Sequence, residues 1–144
     1  CIIFLVRPYH ANVARAILRE PKVYFYDSGY VRDDEGIRLE NTCAVCLLKH
    51  VHYLQDTTGE DLALHYIRTR DGREIDFAIA RNGKVDRLVE VKLSDDSLSP
   101  GLRYFLAMFP KAIAVQLVHN LRREQSIAGV DIVHASRWLS ELSA

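Results

Sequence analysis

The stretch LALHYIRTRDGREIDFAIARNGKVDRLVEVKL, residues 62–93, contains three apolar segments separated by Asp71-Gly72 and Asn82-Gly83. Asp-Gly and Asn-Gly between segments of alternating polarity are strong short-range signals for β-hairpins. The stretch therefore predicts an antiparallel meander, with strands at about 62–69, 73–80 and 85–93. This meander decides the fold, because the remaining elements must pack around it.

Three charged residues on the last two of these strands raise a question of register: Asp76, Glu90 and Lys92. A two-residue turn at Asn82-Gly83 would pair Asp76 with Val89 and point Asp76 and Glu90 to opposite faces of the sheet. A three-residue loop that also includes Arg81, with a bulge at Gly83, would bring all three charged residues onto one face.

Hydrophobic pairing favours the three-residue loop. In that register Asp76 lies opposite Leu88, and the apolar pairs are Ile75 with Val89 and Ile79 with Val85. A slip by one residue would reverse every side chain, so apolar pairing is a strong criterion for register. We therefore expect Asp76, Glu90 and Lys92 to converge. The competing interpretation is that Lys92 merely forms an ion pair with Glu90 at a solvated sheet edge.

Helices are predicted on both sides of the meander. A long helix should run from Glu35 or Gly36 to Tyr53, and a second should begin after Ser99 as N-cap, with Pro100 at its first position, and end before Pro110. Other predicted strands are residues 2–6, 22–31 (KVYFYDSGYV, closed by Ser28-Gly29), 111–118 (KAIAVQLV) and 129–136; short helices are expected at 10–18 (HANVARAIL) and 136–143. This order predicts an α/β fold with a mixed central sheet flanked by helices.

Composition limits the function classes. The chain has 144 residues, 49% of them hydrophobic, and a formal charge of +0, which suits one domain and gives no global attraction for nucleic acid. Local phosphate contacts could come from Arg68, Arg70 and Arg73, although a solvated hairpin explains them equally well. No apolar run approaches the roughly 18 residues that cross a bilayer, so we expect no membrane partner.

The cysteines favour a reducing compartment. They are three in number, and no secretory signal accompanies them, so we expect a cytoplasmic protein without disulfides. Cys43 and Cys46 form a C-x-x-C pattern, which could indicate zinc or redox chemistry. Their helical spacing with Leu39, Leu47 and Leu54 favours burial in the core instead.

The chain resembles the PD-(D/E)XK nuclease superfamily, in which an aspartate precedes a (D/E)-x-K motif on the next strand. Asp76 and Glu90-Val91-Lys92 match that signature, and Glu40 in the preceding helix matches the further acid of many members. Ile75 replaces the proline of the superfamily's name. More narrowly, the blocks PYHAN, PKVYFYDSGY, LENTCAVCLL, HYIRTRDGREIDFAI and LVEVKLS resemble the C-terminal nuclease-like domain of unknown function in bacterial and archaeal AAA+ ATPases.

The resemblance implies a restriction-endonuclease-like fold and phosphodiester hydrolysis of DNA with Mg²⁺ or Mn²⁺. The implied ligands are Asp76, Glu90, the Val91 carbonyl and Glu40, and Lys92 would stabilise charge on the phosphate. It also implies that residues 1–22 end a preceding winged-helix or ATPase region, that residues 23–144 form the nuclease-like domain, and that ATP binds only to an upstream module. The start at Cys1 suits such a piece. The alternative is a non-catalytic recognition or assembly module of the ATPase.

Overall fold

The computed structural model describes residues 2–11, 19–32 and 34–143. Within these residues the chain forms one eight-stranded mixed sheet with α-helices on both faces. The predicted α/β fold with a mixed central sheet is therefore confirmed. The predicted helix at residues 10–18 lies almost wholly outside the described residues.

The meander forms as predicted. Its strands are β3 (Leu62–Arg68), β4 (Glu74–Arg81) and β5 (Lys84–Lys92), and both pairings are antiparallel. The remaining strands are β1 (Ile3–Pro8), β2 (Lys22–Phe25), β6 (Ile113–Val118), β7 (Gln125–Ile127) and β8 (Val130–His134). They extend the sheet to the order β2-β1-β3-β4-β5-β6-β8-β7, in which the β1–β3, β5–β6 and β6–β8 pairs are parallel.

The register between β4 and β5 differs from the prediction. Asn82 and Gly83 form a two-residue turn in which both residues have positive φ, 51° and 80°, as a type I′ turn requires. Arg81 pairs with Lys84, so the three-residue loop was wrong. The pairing then shifts by one residue between Ala80 and Ile79, because Ala80 faces Val85 whereas Ile79 faces Arg87.

This shift brings Asp76 and Glu90 onto one face of the sheet, which the three-residue loop had been expected to do. Phe77 pairs with Val89, and continuing the same register places Asp76 directly opposite Glu90. The expected pairs Ile75–Val89 and Ile79–Val85 do not occur. A bulge on β5, rather than a bulge at the turn, therefore sets the relation between the two acids.

A second irregularity lies at Asp76 itself. His65 pairs with Ala78 and Ile67 with Ile75, so the two residues Asp76 and Phe77 lie opposite the single residue Tyr66. Ile75 and Phe77 consequently pack into different cores, although residues two apart in a regular strand share a face. The bulge redirects the chain at the position of the predicted catalytic aspartate.

The helices cover the two faces of the sheet. Helix α1 (Glu35–Thr58) has Asp34 as its N-cap and Gly59, in the left-handed conformation, as its C-cap, so its last residue lies five positions beyond the predicted end at Tyr53. With α3 (Ala135–Ser140) it covers the core that contains Phe77 and Leu117. Helix α2 (Pro100–Met108), capped by Ser99 as predicted, covers the other core.

Two details at the ends of the chain differ from the prediction. The aromatic segment after Lys22 leaves the sheet at Phe25, and Ser28–Tyr30 form a 3-10 turn capped by Asp27 rather than a continuing strand. The short edge strand β7 was not predicted, because its three residues are exposed and lack alternation.

Strand β1 pairs with β2 and β3, whereas the assignment of residues 1–22 to a preceding region stays a prediction.

Among the described residues, no helix has the length and apolar character that a membrane span would need.

Candidate functional site

The carboxyl groups of Asp76 and Glu90 meet where β4 and β5 stop pairing. They lie within hydrogen-bonding reach of each other. The backbone N–H of Val91 donates a 2.8 Å hydrogen bond to Oδ2 of Asp76, in place of a bond to the β4 backbone. The structure therefore brings together the two acids that the sequence singled out, and it does so by means of the two bulges described above.

Burial makes this pair electrostatically costly. Desolvation, and then the proximity of Glu90, raises the pKa of Asp76 to about 8, although the Val91 N–H and Lys22 oppose the rise. Ionisation of Asp76 beside a second carboxyl group is costly in this setting, and a bound cation would offset that cost. The pair consequently has the electrostatic properties of a site that accepts positive charge.

A buried polar network holds Glu90. Glu90 is 7% exposed, and Ser99 Oγ donates a 3.0 Å hydrogen bond to the Oε2 atom of Glu90. The backbone N–H of Ser99 donates to Oε1 of Gln116, a fully buried residue of β6, at 2.9 Å. The amide of Gln116 donates in turn to the carbonyl oxygens of Ser97 and Asp95. The network ties the β5–α2 loop to β6 and fixes the position of the Glu90 carboxyl group.

Lys92 lies beside the acids without being neutralised by them. Among the described residues, no carboxylate oxygen lies within 4.0 Å of its ammonium, so the interpretation of Lys92 as the ion-pair partner of Glu90 is wrong. Lys92 lines an open cavity of about 500 Å³ together with Arg73, Glu74, Glu90, Ser99, Pro100 and Gly101. This cavity is where a ligand could reach both the lysine and Glu90.

Glu40 projects from α1 on the other side of the pair. Its Oε1 atom accepts a 2.6 Å hydrogen bond from the Tyr24 hydroxyl and lies 3.7 Å from the Lys22 ammonium. Burial, and then the charge of Asp76, raises the pKa of Glu40. Glu40 is thus coupled to Asp76 but is already engaged by β2. Within the described ranges, no group of three or more His, Cys, Asp or Glu side chains is arranged to hold a metal ion.

The Val91 carbonyl is the backbone ligand that the resemblance implies, and it points toward β4, the strand that carries Asp76. In a strand the N–H and C=O of one residue project toward the same neighbouring strand. Because the Val91 N–H points to Asp76, its carbonyl also lies on the β4 side. Asp76, Glu90 and this carbonyl form a set of oxygen donors.

The three arginines of the first hairpin differ in their surroundings. Arg68 ends β3 and Arg70 lies in the turn, and both are exposed. Arg73 lies at the edge of the cavity, where its guanidinium stacks over the ring of Tyr104 at 4.2 Å and approaches Asp71 at 3.4 Å. Of the three, only Arg73 is placed beside the acids.

The two cysteines that the structure describes, Cys43 and Cys46, occupy positions on α1. Cys43 is fully buried in the core under α1, and Cys46 is half-buried on the same helix. Both are free thiols, and burial raises the pKa of each. The helical interpretation is confirmed for Cys43, whereas Cys46 is less buried than predicted.

Four residues that hold the predicted site residues, three of them directly and Gln116 through Ser99, were not assigned to the site from sequence: Lys22, Tyr24, Ser99 and Gln116. A weak signal existed for Gln116, because it is the one polar residue in the apolar segment IAVQLV of a strand covered on both faces. A buried amide needs partners, so such a residue indicates a network. Lys22 and Tyr24 gave no comparable signal.

Comparison with known proteins returned one family. The family model described as Domain of unknown function (DUF4143) matches residues 35–138, which include α1, the meander, α2, β6 and β8. Curated proteins and solved structures gave no match.

Proposed function

Since the chain belongs to the family Domain of unknown function (DUF4143), whose description names no activity, we propose from its geometry that it hydrolyses DNA phosphodiesters with a divalent cation. The observation that supports this most strongly is the buried contact between Asp76 and Glu90 beside Lys92. Asp76 and Glu90 are two of the residues by which the sequence resembles the PD-(D/E)XK nuclease superfamily, and their contact supports the proposal. The proposal extends to an AAA+ ATPase module in the same protein, on that resemblance alone.

The residues present suit Mg²⁺ or Mn²⁺. Asp76, Glu90 and the Val91 carbonyl would hold the cation through oxygen atoms, which hard divalent ions prefer. The raised pKa of Asp76 indicates that the pair lacks positive charge, and a cation would supply it. Glu40 would contribute from α1 through a water molecule, since Tyr24 and Lys22 engage its carboxyl group directly. When bound, such a cation activates water and neutralises a scissile phosphate.

The protein's own groups then have distinct tasks. Glu90 is held by Ser99 and has little freedom to turn away, so its carboxyl group stays oriented toward the reacting atoms. The Lys92 ammonium, with no carboxylate partner among the described residues, is available to stabilise charge that develops on phosphoryl oxygens. Arg73 at the cavity edge would contact a neighbouring backbone phosphate.

A second function is favoured by a specific observation. The described residues contain no ready group of three acidic or other metal-binding side chains, as expected if the domain recognises nucleic acid or assembles an ATPase without cleaving anything. In that case the acids would serve structure, and Arg73 and Lys92 would contribute to binding only.

A cleavage assay separates these functions. Single-stranded, duplex and branched DNA would be incubated with Mg²⁺ or Mn²⁺ and with the variants Glu90→Gln and Lys92→Ala. We expect each variant to lose about 100-fold or more in rate. Matched controls are Lys84→Ala on the same strand and Asp96→Asn in the following loop, both exposed, which should retain the wild-type rate. Equal cleavage by all five proteins would indicate a contaminant, and DNA binding without cleavage would favour the recognition module.

A further inference from the structure

Lys22 is a cation of the acidic centre that was not assigned to the site from sequence. It lies on β2, its ammonium forms an ion pair with Glu74 of β4, and it lies 3.7 Å from Oε1 of Glu40. The same ammonium lies 5.0 Å from the centre of the Tyr66 ring. Lys22 therefore bridges α1 and β4 from a third element.

The contacts of Lys22 divide the acids into two groups. Glu40 and Glu74 touch the ammonium directly, whereas Asp76 interacts with it at longer range and touches Glu90 instead. The inner pair, Asp76 and Glu90, has no such counter-ion in direct contact among the described residues.

Position and charge suit Lys22 to replace a metal ion. Two carboxylates from different elements that converge on one cation resemble the oxygen set of a second divalent ion. Lys22 is about 27% exposed in its side chain and Glu40 about 29%, so the ammonium is partly desolvated and strongly attracted. A divalent ion at Glu40 and Glu74 would have to displace it.

We propose that Lys22 is a built-in counter-cation that limits this site to a single divalent ion, held by Asp76 and Glu90. This inference rests on the proposed metal-dependent function, and it specifies that function as one-metal chemistry. Lys22 is a positioning residue, since it acts through Glu40 and Glu74 rather than on the substrate.

The test is the stoichiometry of Mn²⁺ binding, measured by calorimetry and by electron paramagnetic resonance without DNA. Wild type should bind about one Mn²⁺ per chain, and Lys22→Met, which frees Glu40 and Glu74, should bind about two. Lys22→Arg keeps the charge and should stay at one. The double variant Lys22→Met/Glu74→Gln removes one of the two carboxylates that a second ion would need and leaves only Glu40, so it should also bind one.

The outcomes distinguish this inference from the function beneath it. Binding of two ions by wild type, or of one ion by a folded Lys22→Met protein, would overturn the role of Lys22 and leave metal-dependent hydrolysis standing. Failure of wild type to bind any Mn²⁺ would remove the proposed function as well. If Lys22→Met does not fold, as circular dichroism would show, Lys22→Gln takes its place, because it removes the charge but can still donate hydrogen bonds to Glu40 and Glu74; it should bind about two Mn²⁺, and a count of one in the folded variant would overturn the role of Lys22.

Discussion

The backbone N–H of Val91 donates a 2.8 Å hydrogen bond to the carboxyl group of Asp76, so the strand that carries Glu90 also anchors the acid facing it. Asp76 cannot turn away from Glu90 without losing this bond. The two carboxyl groups are therefore held together in the free protein, at an electrostatic cost that depends on pH.

This cost predicts that the metal-free protein loses stability as pH rises from about 4 to about 8. The pKa of Asp76 is about 8 in the folded protein, against an ordinary value of 3.8. The stabilising contribution of the proton is full below the unfolded pKa and is lost as pH rises through the folded pKa. Urea unfolding in EDTA across this range measures the loss.

Asp76→Asn is the control for this prediction, because the amide resembles the protonated carboxyl group and does not ionise. Its free energy of unfolding should vary less with pH than that of wild type over the same range. Saturating Mn²⁺ should flatten the wild-type curve but not that of the variant. Parallel curves for the two metal-free proteins would contradict the raised pKa of Asp76.

Gln116→Leu should lower both the stability of the protein and its affinity for Mn²⁺, although Gln116 acts on Glu90 only through Ser99. The substitution leaves the buried N–H of Ser99 without an acceptor, at a cost of about 1–3 kcal/mol in unfolding free energy. Because Ser99 orients Glu90, the affinity for Mn²⁺ should also fall, by about tenfold. Gln125→Leu on the exposed strand β7 is the matched control and should change neither quantity. Unchanged Mn²⁺ affinity in a destabilised Gln116→Leu protein would show that the network serves stability alone.

The meander was predictable because its signals are local. Turn dipeptides and alternating residues specify hairpins within a few positions, and the structure has all three strands. The register was not predictable, because the turn residues Asn82 and Gly83 carry no signal for the one-residue shift that follows between Val85 and Arg87 of β5. The convergence of Asp76 and Glu90 was predicted for a reason that proved wrong.

The supporting residues of the site could not be predicted in the same way. Lys22 reaches Glu40 and Glu74 across 18 and 52 positions of sequence, and Gln116 meets Ser99 across 17. Such contacts follow from strand order in the sheet, which a single sequence does not specify. The sequence motif indicated which acids belong to the candidate site. The order of strands in the sheet determined which other side chains form ion pairs and hydrogen bonds with those acids.

Gly83→Ala tests the turn that replaced the predicted loop. Gly83 has φ of +80° and no atom within 4 Å of an added Cβ, so the penalty is conformational strain of about 1–2 kcal/mol rather than a clash. We expect the free energy of unfolding, measured by thermal denaturation, to fall by that amount. Mn²⁺ binding should stay intact, because the bulge on β5 rather than Gly83 aligns the acids. A loss of Mn²⁺ affinity in the folded variant would restore the turn as the determinant of register.

Cysteine labelling tests the remaining redox alternative. Cys43 is fully buried and burial raises the pKa of its thiol, so alkylation requires local or global opening. Iodoacetamide at pH 8 should modify Cys43 roughly 100-fold more slowly than in urea-unfolded protein. Cys46, half-buried and near Lys49, should react at an intermediate rate. Peptide mass mapping resolves the two sites, and rapid labelling of Cys43, or a Cys43–Cys46 disulfide formed under mild oxidation, would contradict the core assignment.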